Sequence, residues 1–247
     1  MSLELEICGK TAPIRLSPRR ELFEAAADFY YLLNRGYNRK LILDLVTSRY
    51  SLSRLERLCL YRSVFSKSVS NLRRAKLVKV GALNEYGKLV IDGFNQVSTV
   101  ASALIGDTLV ASTDGLVRDL AATNRKVTLC PLYVSALYFL LSILSRLFKG
   151  DVVIVFDSQV SWSKHFAEIA RELCKLQSLN CTALLSNKAD LTVVVQAKEG
   201  IPVASSDSVI VDRVARVFDL AGELGKIISP CAVLEIVVSQ VEEAQPT

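Results

Sequence analysis

Four segments of the 247-residue chain run into an aspartate: KLVID at Asp92, VVIVFD at Asp157, NKAD at Asp190 and IPVASSD at Asp207. Buried strands rarely carry a carboxylate at their ends without a use for it, so four on separate elements suggest one shared site. A site of three or four carboxylates, with no histidine or cysteine beside them, suits hard divalent cations such as Mg²⁺ or Mn²⁺. Such ions activate water, neutralise phosphate oxygens and, in pairs, stabilise the attacking and leaving oxygens of a phosphodiester displacement. They also offset the mutual repulsion of clustered acids. The reaction implied is metal-assisted hydrolysis. Asn95 follows Asp92 by three residues and could hold a water or a phosphate oxygen, as could Ser206 beside Asp207. A helix cap is an equal reading for Asn95 and the simpler one for Ser206.

Other chemistries have less to build on. His165 is the single histidine, and nothing marks it as half of a nucleophile pair. The six cysteines (Cys8, Cys59, Cys130, Cys174, Cys181 and Cys231) are scattered without a CxxC pair, which argues against zinc and for mostly small, buried apolar roles. Neither GxxxxGK[ST] nor GxGxxG occurs. A phosphatase forming an aspartyl intermediate would need an acid two residues after Asp157, where Gln159 stands.

The charge is unevenly spread. Residues 12 to 80 hold 15 Lys and Arg against 5 Asp and Glu, whereas residues 81 to 247 hold 14 against 18. A basic module joined to an acidic site fits a polyanionic partner. Division at residue 80 gives a basic helical domain over 1–80 and an α/β domain over 81–247.

In the first module, apolar spacing predicts a helix over Arg19 to Arg35, with Gly36 as a stop. Asn38 caps a second helix, and Ser53 with Glu56 forms a capping box for a third that runs to about Phe65. A fourth covers Ser68 to Lys76. Arg54, Arg57 and Arg62 on the third helix, with Arg73 and Arg74 on the fourth, are the candidate nucleic-acid contacts. A solvated helix face is the alternative.

The second module alternates strand and helix. Expected strands are Leu89 to Asp92, Thr108 to Ala111, Val152 to Asp157, Thr182 to Leu185 and Pro202 to Ser205. Expected helices are Gln96 to Ile105, Tyr133 to Leu147, Ser163 to Leu179 and Ser208 to Leu220. Leu191 to Ala197 has strand composition but reads as a helix started by Asp190, and Ile227 to Val238 forms a last strand or a subunit contact. The order implies a parallel sheet with helices on both faces, in which ligands sit beyond the carboxyl ends of the strands.

The series DGFN at 92–95, VFD at 155–157, AD at 189–190 and SSD at 205–207 resembles the PIN-like superfamily, in particular its NYN branch of metal-dependent nucleases. The resemblance covers residues 88 to 220. The Arg-rich front and the segment STDGLVRDL also resemble an uncharacterised archaeal family of two-part proteins. The resemblance implies a Rossmann-like three-layer α/β sandwich whose acidic pocket binds Mg²⁺ or Mn²⁺ and cleaves RNA in preference to DNA. It makes Asp92, Asp157, Asp190 and Asp207 the metal-binding acids, with Asn95 and Ser206 as supporting polar groups. That family commonly has an acid within its middle helices. Here the insert from Asp107 to Pro131 is unusual, and Asp114 or Asp119 could substitute, with Arg118 at the rim. Asp114-Gly115 is equally a turn pair, and Arg118 with Asp119 equally a surface ion pair.

Trp162 and His165 lie in SWSKHF, where Ser161 or Ser163 reads as an N-cap and Trp162 as a packed staple; a contact to a base is the alternative. The longest apolar run, Leu132 to Leu144, is shorter than the roughly 20 residues of a spanning helix, so no membrane partner is expected. MSLELEICGK has acids where a signal peptide is basic, and the expected compartment is the cytoplasm. The alternative to a nuclease is a catalytically silent nucleic-acid-binding protein that uses the α/β domain as a scaffold.

Overall fold

A computed structural model describes residues 13–121, 126–236 and 238. The segment MSLELEICGK, with Cys8, and part of the Asp107 to Pro131 insert lie outside the described residues.

Four helices come first: α1 (Arg20–Asn34), α2 (Arg39–Arg49), α3 (Arg54–Ser63) and α4 (Lys67–Arg74). Their starts follow from short polar side chains that take up orphan amides. The Asn38 side chain accepts from the Lys40 and Leu41 amides, Ser53 and Glu56 close a reciprocal capping box, and Ser66 accepts from Val69. The apolar faces of α1 to α3 bury Leu22, Phe29, Ile42, Val46 and Leu60 in one core.

The α/β part is β1 (Lys88–Asp92), α5 (Gly93–Leu104), β2 (Leu109–Ala111), β3 (Val117–Asp119), α6 (Pro131–Leu147), β4 (Asp151–Asp157), α7 (Ser163–Leu176), β5 (Cys181–Ser186), α8 (Ala189–Gln196), β6 (Val203–Ala204), α9 (Ser208–Arg213), β7 (Val217–Phe218), α10 (Leu220–Ile228) and β8 (Val233–Glu235). The central sheet has five strands, all parallel, in the order β5-β4-β1-β6-β7. The fold is thus α/β, a parallel sheet flanked by helices and preceded by a helical region.

Side chains alternate across this sheet with period two, and both faces are covered. Leu89, Ile91, Val152, Ile154 and Phe156 pack beneath α5, α6 and α7, while Val90, Val153 and Val155 pack with Val193, Ile210 and Val211 of α8 and α9. This two-sided burial is why KLVI and VVIVF read as unbroken apolar runs.

Three expectations are corrected. Thr108 to Ala111 is not a strand of the central sheet: β2 belongs to a second sheet, ordered β3-β2-β8, in which it pairs antiparallel with β3 and parallel with β8. Three residues are too few to span the core, and Asp114-Gly115 turns the chain straight back, with Gly115 at φ 88°. Ser208 to Leu220 is not one helix. It stops at Arg213, and the β-branched Val217 joins the sheet, its amide donating to the Lys76 carbonyl at 2.9 Å. The helix from Ser163 ends at Leu176 rather than Leu179, with Ser178 at φ 52°.

The second sheet lies under the helical region, so Val110, Leu120 and Ile236 share the core of α1 to α3. Cys174 and Cys181 form a disulfide joining the end of α7 to the start of β5, rather than two separate apolar fillers. Among the described residues no helix is long and apolar enough to cross a membrane.

Candidate active site

The chain runs from β1 outward to β4 and β5, then returns to the other side of β1 for β6 and β7. The loops leaving β1 and β6 therefore diverge, and a crevice opens at their carboxyl ends. Asp92 closes β1, and Ser205, Ser206 and Asp207 follow β6, so the two sequence motifs flank this opening. Asp157 closes the neighbouring β4, and Asp190 lies in the first turn of α8.

The DGFN motif divides into distinct tasks. Phe94 packs edge-on against Phe156 and Phe166, with ring centroids 5.0 and 5.4 Å away. Gly93 lets α5 start hard against β4: a Cβ there would meet the Phe156 ring at 2.6 Å and the Val155 carbonyl oxygen at 2.9 Å. Gly93→Ala is expected to cost about 1–3 kcal/mol through overpacking, read as a fall in the urea midpoint at unchanged slope. An unchanged midpoint would show that the contact yields freely.

Asn95 ties the two flanks of the crevice together. Its Oδ1 accepts from the Ser206 amide at 3.0 Å, the Gln96 side chain at 2.9 Å and the Ser206 hydroxyl at 3.4 Å. Neither Asn95 nor Ser206 is a helix cap. Asp207 caps α9, accepting from the Val209 amide at 2.7 Å. Asp157 accepts from the Gln159 amide at 2.8 Å.

Ser205, which the sequence reading passed over, is the central bridge. Its buried hydroxyl donates to Asp92 Oδ2 at 2.8 Å and accepts from the Asp207 amide at 3.1 Å. Burial pushes the Asp92 carboxyl up to about 7, and the charges of Asp207 and Asp190 add to this against the Ser205 hydrogen bond. Asp190 is also held above the usual carboxylate range, by partial burial and then by Asp207 and Asp157, with Arg213 opposing. The four acids therefore share one electrostatic neighbourhood. They do not form a closed coordination shell: among the described residues no three His, Cys, Asp or Glu side chains are gathered so as to hold a metal ion. By chemistry the donor set fits a hard cation, because charge placed among these oxygens offsets the repulsion that adds to burial in raising Asp92 and Asp190.

The surface beside Ser206 and Asp207 is basic. A groove of about 860 Å³ is lined by Asn95, Ser206 and Asp207 together with Arg39, Arg62, Arg73, Lys76, Arg118 and Asp212, and of the four aspartates Asp207 alone borders it. Asp114 organises that surface from behind. It is fully buried, meeting Arg118 at 2.8 Å and Arg73 at 2.9 Å, while Arg73 also reaches Asp212 at 2.7 Å. Burial pushes the Asp114 carboxyl up, but Arg118 and Arg73 overcome this and hold it below the usual range. Arg118 also donates to the Ser206 carbonyl at 2.9 Å. Three guanidinium groups surround the Phe65 ring, Arg73 at 4.3 Å, Arg39 at 4.6 Å and Arg118 at 5.0 Å.

Asp114 and Asp119 therefore do not stand with the four aspartates. Asp119 is buried on β3, where Thr99 of α5 donates to it at 3.2 Å. The expected surface pair of Arg118 with Asp119 is instead a buried pair of Arg118 with Asp114. The five candidate arginines also separate. Arg62 and Arg73 face the groove, Arg54 and Arg57 line a different hollow with Leu55 and Leu58, and Arg74 is exposed, its Cγ near Gly115. Arg57 is paired with Asp44 at 2.7 Å. Trp162 is not a packed staple: it is exposed, occupies the N-cap position of α7 itself at φ 66°, and meets the His165 ring edge-on at 5.3 Å.

Asp219, also missed, follows β7 in a second VFD and caps α10. Burial pushes its carboxyl up to about 6. It accepts from the Val117 amide at 2.8 Å and the Gly222 amide at 3.2 Å, tying β3 to α10.

Residues 83–223, more than half of the chain, match the family described as Domain of unknown function (DUF5616). The chain belongs to that family. The DUF5616 match contains all four aspartates and the Arg118 wall of the groove. Residues 21–76, which carry α1 to α4, match a second family, described as Protein of unknown function (DUF434). The uncharacterized protein MJ0935 of Methanocaldococcus jannaschii is 32% identical over 203 residues, covering 81% of this chain and 94% of the relative. No solved structure matches.

Proposed function

We propose that the crevice is the active site of a Mg²⁺- or Mn²⁺-dependent nuclease that hydrolyses nucleic-acid phosphodiester bonds. The observation that carries this reading is a groove of nucleotide size that joins Asp207, one of the four aspartates at the switch point of a parallel sheet, to Arg39, Arg62, Arg73 and Arg118. Asp92, Asp157, Asp190 and Asp207 would hold the ion. When bound, the ion supplies an activated water and charge for the phosphate oxygens. Arg39 and Arg62 would draw the strand's phosphates into the groove, Arg73 and Arg118 being paired with Asp114 and Asp212, and the Asn95 side-chain nitrogen Nδ2, which has no partner among the described residues, would orient one of them. The preference for RNA over DNA rests on the resemblance of the acidic series to NYN-type domains.

A single assay tests both the aspartates and the arginines. Single-stranded RNA is expected to be cut in Mn²⁺ and left intact in EDTA. Its binding in EDTA should weaken steeply between 50 and 200 mM salt, on the order of tenfold or more for a few phosphate contacts. Absence of cleavage in every divalent cation would remove the hydrolytic role, and salt-independent binding would remove the arginine wall. One observation favours a silent binding protein as the second reading, namely that the carboxylates are not gathered for a metal. In that case RNA is bound with the same salt dependence and never cut.

A further inference from the structure

We propose that the groove holds a receptor for a nucleotide phosphate monoester, built on Arg39 and Arg62. The inference rests on the nucleic-acid reading and adds to it a preference for one chemical state of the ligand.

The charges in the groove do not cancel, and the excess is localised. Arg73 and Arg118 are neutralised by Asp114 and Asp212. Lys76 donates to the carbonyl oxygens of Val211 and Asp212 at 2.8 and 3.1 Å. Asp207 is occupied as the cap of α9. Beside Lys76, hydrogen-bonded to those carbonyls, Arg39 and Arg62 remain, and neither guanidinium has a carboxylate partner among the described residues. Arg39 donates to the Tyr61 carbonyl at 2.6 Å, while its guanidinium is fixed against Phe65, and against Phe29 and Tyr61 at 5.3 and 5.4 Å. Burial pushes Arg39 down to about 10, and the nearby Arg73 and Arg118 add to this. Arg62 Nε is buried with no hydrogen-bond partner, the single such side-chain atom among the described residues.

Such groups are costly unless something completes them. Two unneutralised guanidinium groups match a phosphate monoester, which carries about −1.5 to −2 charges at neutral pH, better than a diester with one. Tyr61, exposed beside them, offers a ring face to the attached base.

The test is fluorescence anisotropy in EDTA, where no cleavage occurs, with one short single-stranded RNA carrying a 5′-phosphate, a 3′-phosphate or hydroxyls at both ends. A phosphorylated end is expected to bind about tenfold tighter than the hydroxyl-ended strand, the effect of one or two charge-assisted hydrogen bonds. Arg62→Gln and Arg39→Gln should each erase that difference, and Arg146→Gln, on α6 and lining neither hollow, should retain it. Adenosine monophosphate competing as strongly as the strand would support the receptor and assign it to free nucleotides; weak competition would support it and assign it to strand ends. Equal affinity for all three strands, together with no competition by the monophosphate, would overturn the proposal whether or not the protein cuts RNA in Mn²⁺. Arg62 is half-buried at the end of its helix, so its variant decides the matter if Arg39→Gln fails to fold.

Discussion

Asp92→Asn is expected to lower the proposed metal-dependent cleavage by roughly three orders of magnitude, on the scale of several kcal/mol of charge stabilisation from a correctly held ion. The fold is expected to survive, because the amide keeps the side chain's shape and its oxygen still accepts from Ser205. RNA binding in EDTA should persist, since the arginine wall is untouched. The same variant carries a second signature. The Asp92 carboxyl sits at about 7 in the folded chain against about 4 in an unfolded one. Between those values the folded state keeps a proton that the unfolded state has lost. This contribution to stability is therefore fully present below about pH 4 and is lost as pH rises to 7. Without metal, the wild type should lose melting temperature across that window, and the asparagine variant should lose less. Added Mn²⁺ should restore the wild type above pH 7 and leave the variant unmoved. Undiminished cleavage by Asp92→Asn would sink the proposed site.

The second large effect is structural. Asp114→Asn removes the buried anion shared by Arg73 and Arg118, and two guanidinium groups at 5% and 3% side-chain exposure lose their common partner. Breaking a buried pair from one side typically costs about 3–5 kcal/mol. Asp212→Asn cuts an ion pair of the same Arg73, but Asp212 is 55% exposed, and the expected cost is below about 1 kcal/mol. Urea unfolding of the two variants side by side separates them. Equal losses would mean that Asp114 is no hub.

Periodicity and caps made the elements legible where local chemistry decides them. The Asn38 cap, the Ser53 and Glu56 box, and the continuous runs of β1 and β4 all specify their elements within a few residues. The carboxylates were readable too, because an acid after a buried strand is conspicuous. What escaped was set by distant partners. Ser205 looks like any loop serine until β6 is placed beside β1, and Arg39 looks like a surface residue at the start of α2 until Phe65 and Arg118 close over it. Asp114 read as half of a turn pair, which it is, but its fully buried carboxylate depends on Arg73 from α4, 41 residues earlier. Thr108 to Ala111 misled because four β-branched or apolar residues fit either sheet, and the choice was made by β3 and by β8 near the far end of the chain.

That last strand bears on how the chain is made. The core of α1 to α3 is closed by Ile236 as well as by Val110 and Leu120. On a ribosome adding about 5–20 residues per second, α3 emerges roughly 10–30 s before Ile236 does. Throughout that interval the Arg-rich helices are exposed to the cell with an open apolar side. A chaperone, or a polyanion, can meet them before Ile236 closes that core, so the order of synthesis presents the basic surface before its apolar side is covered.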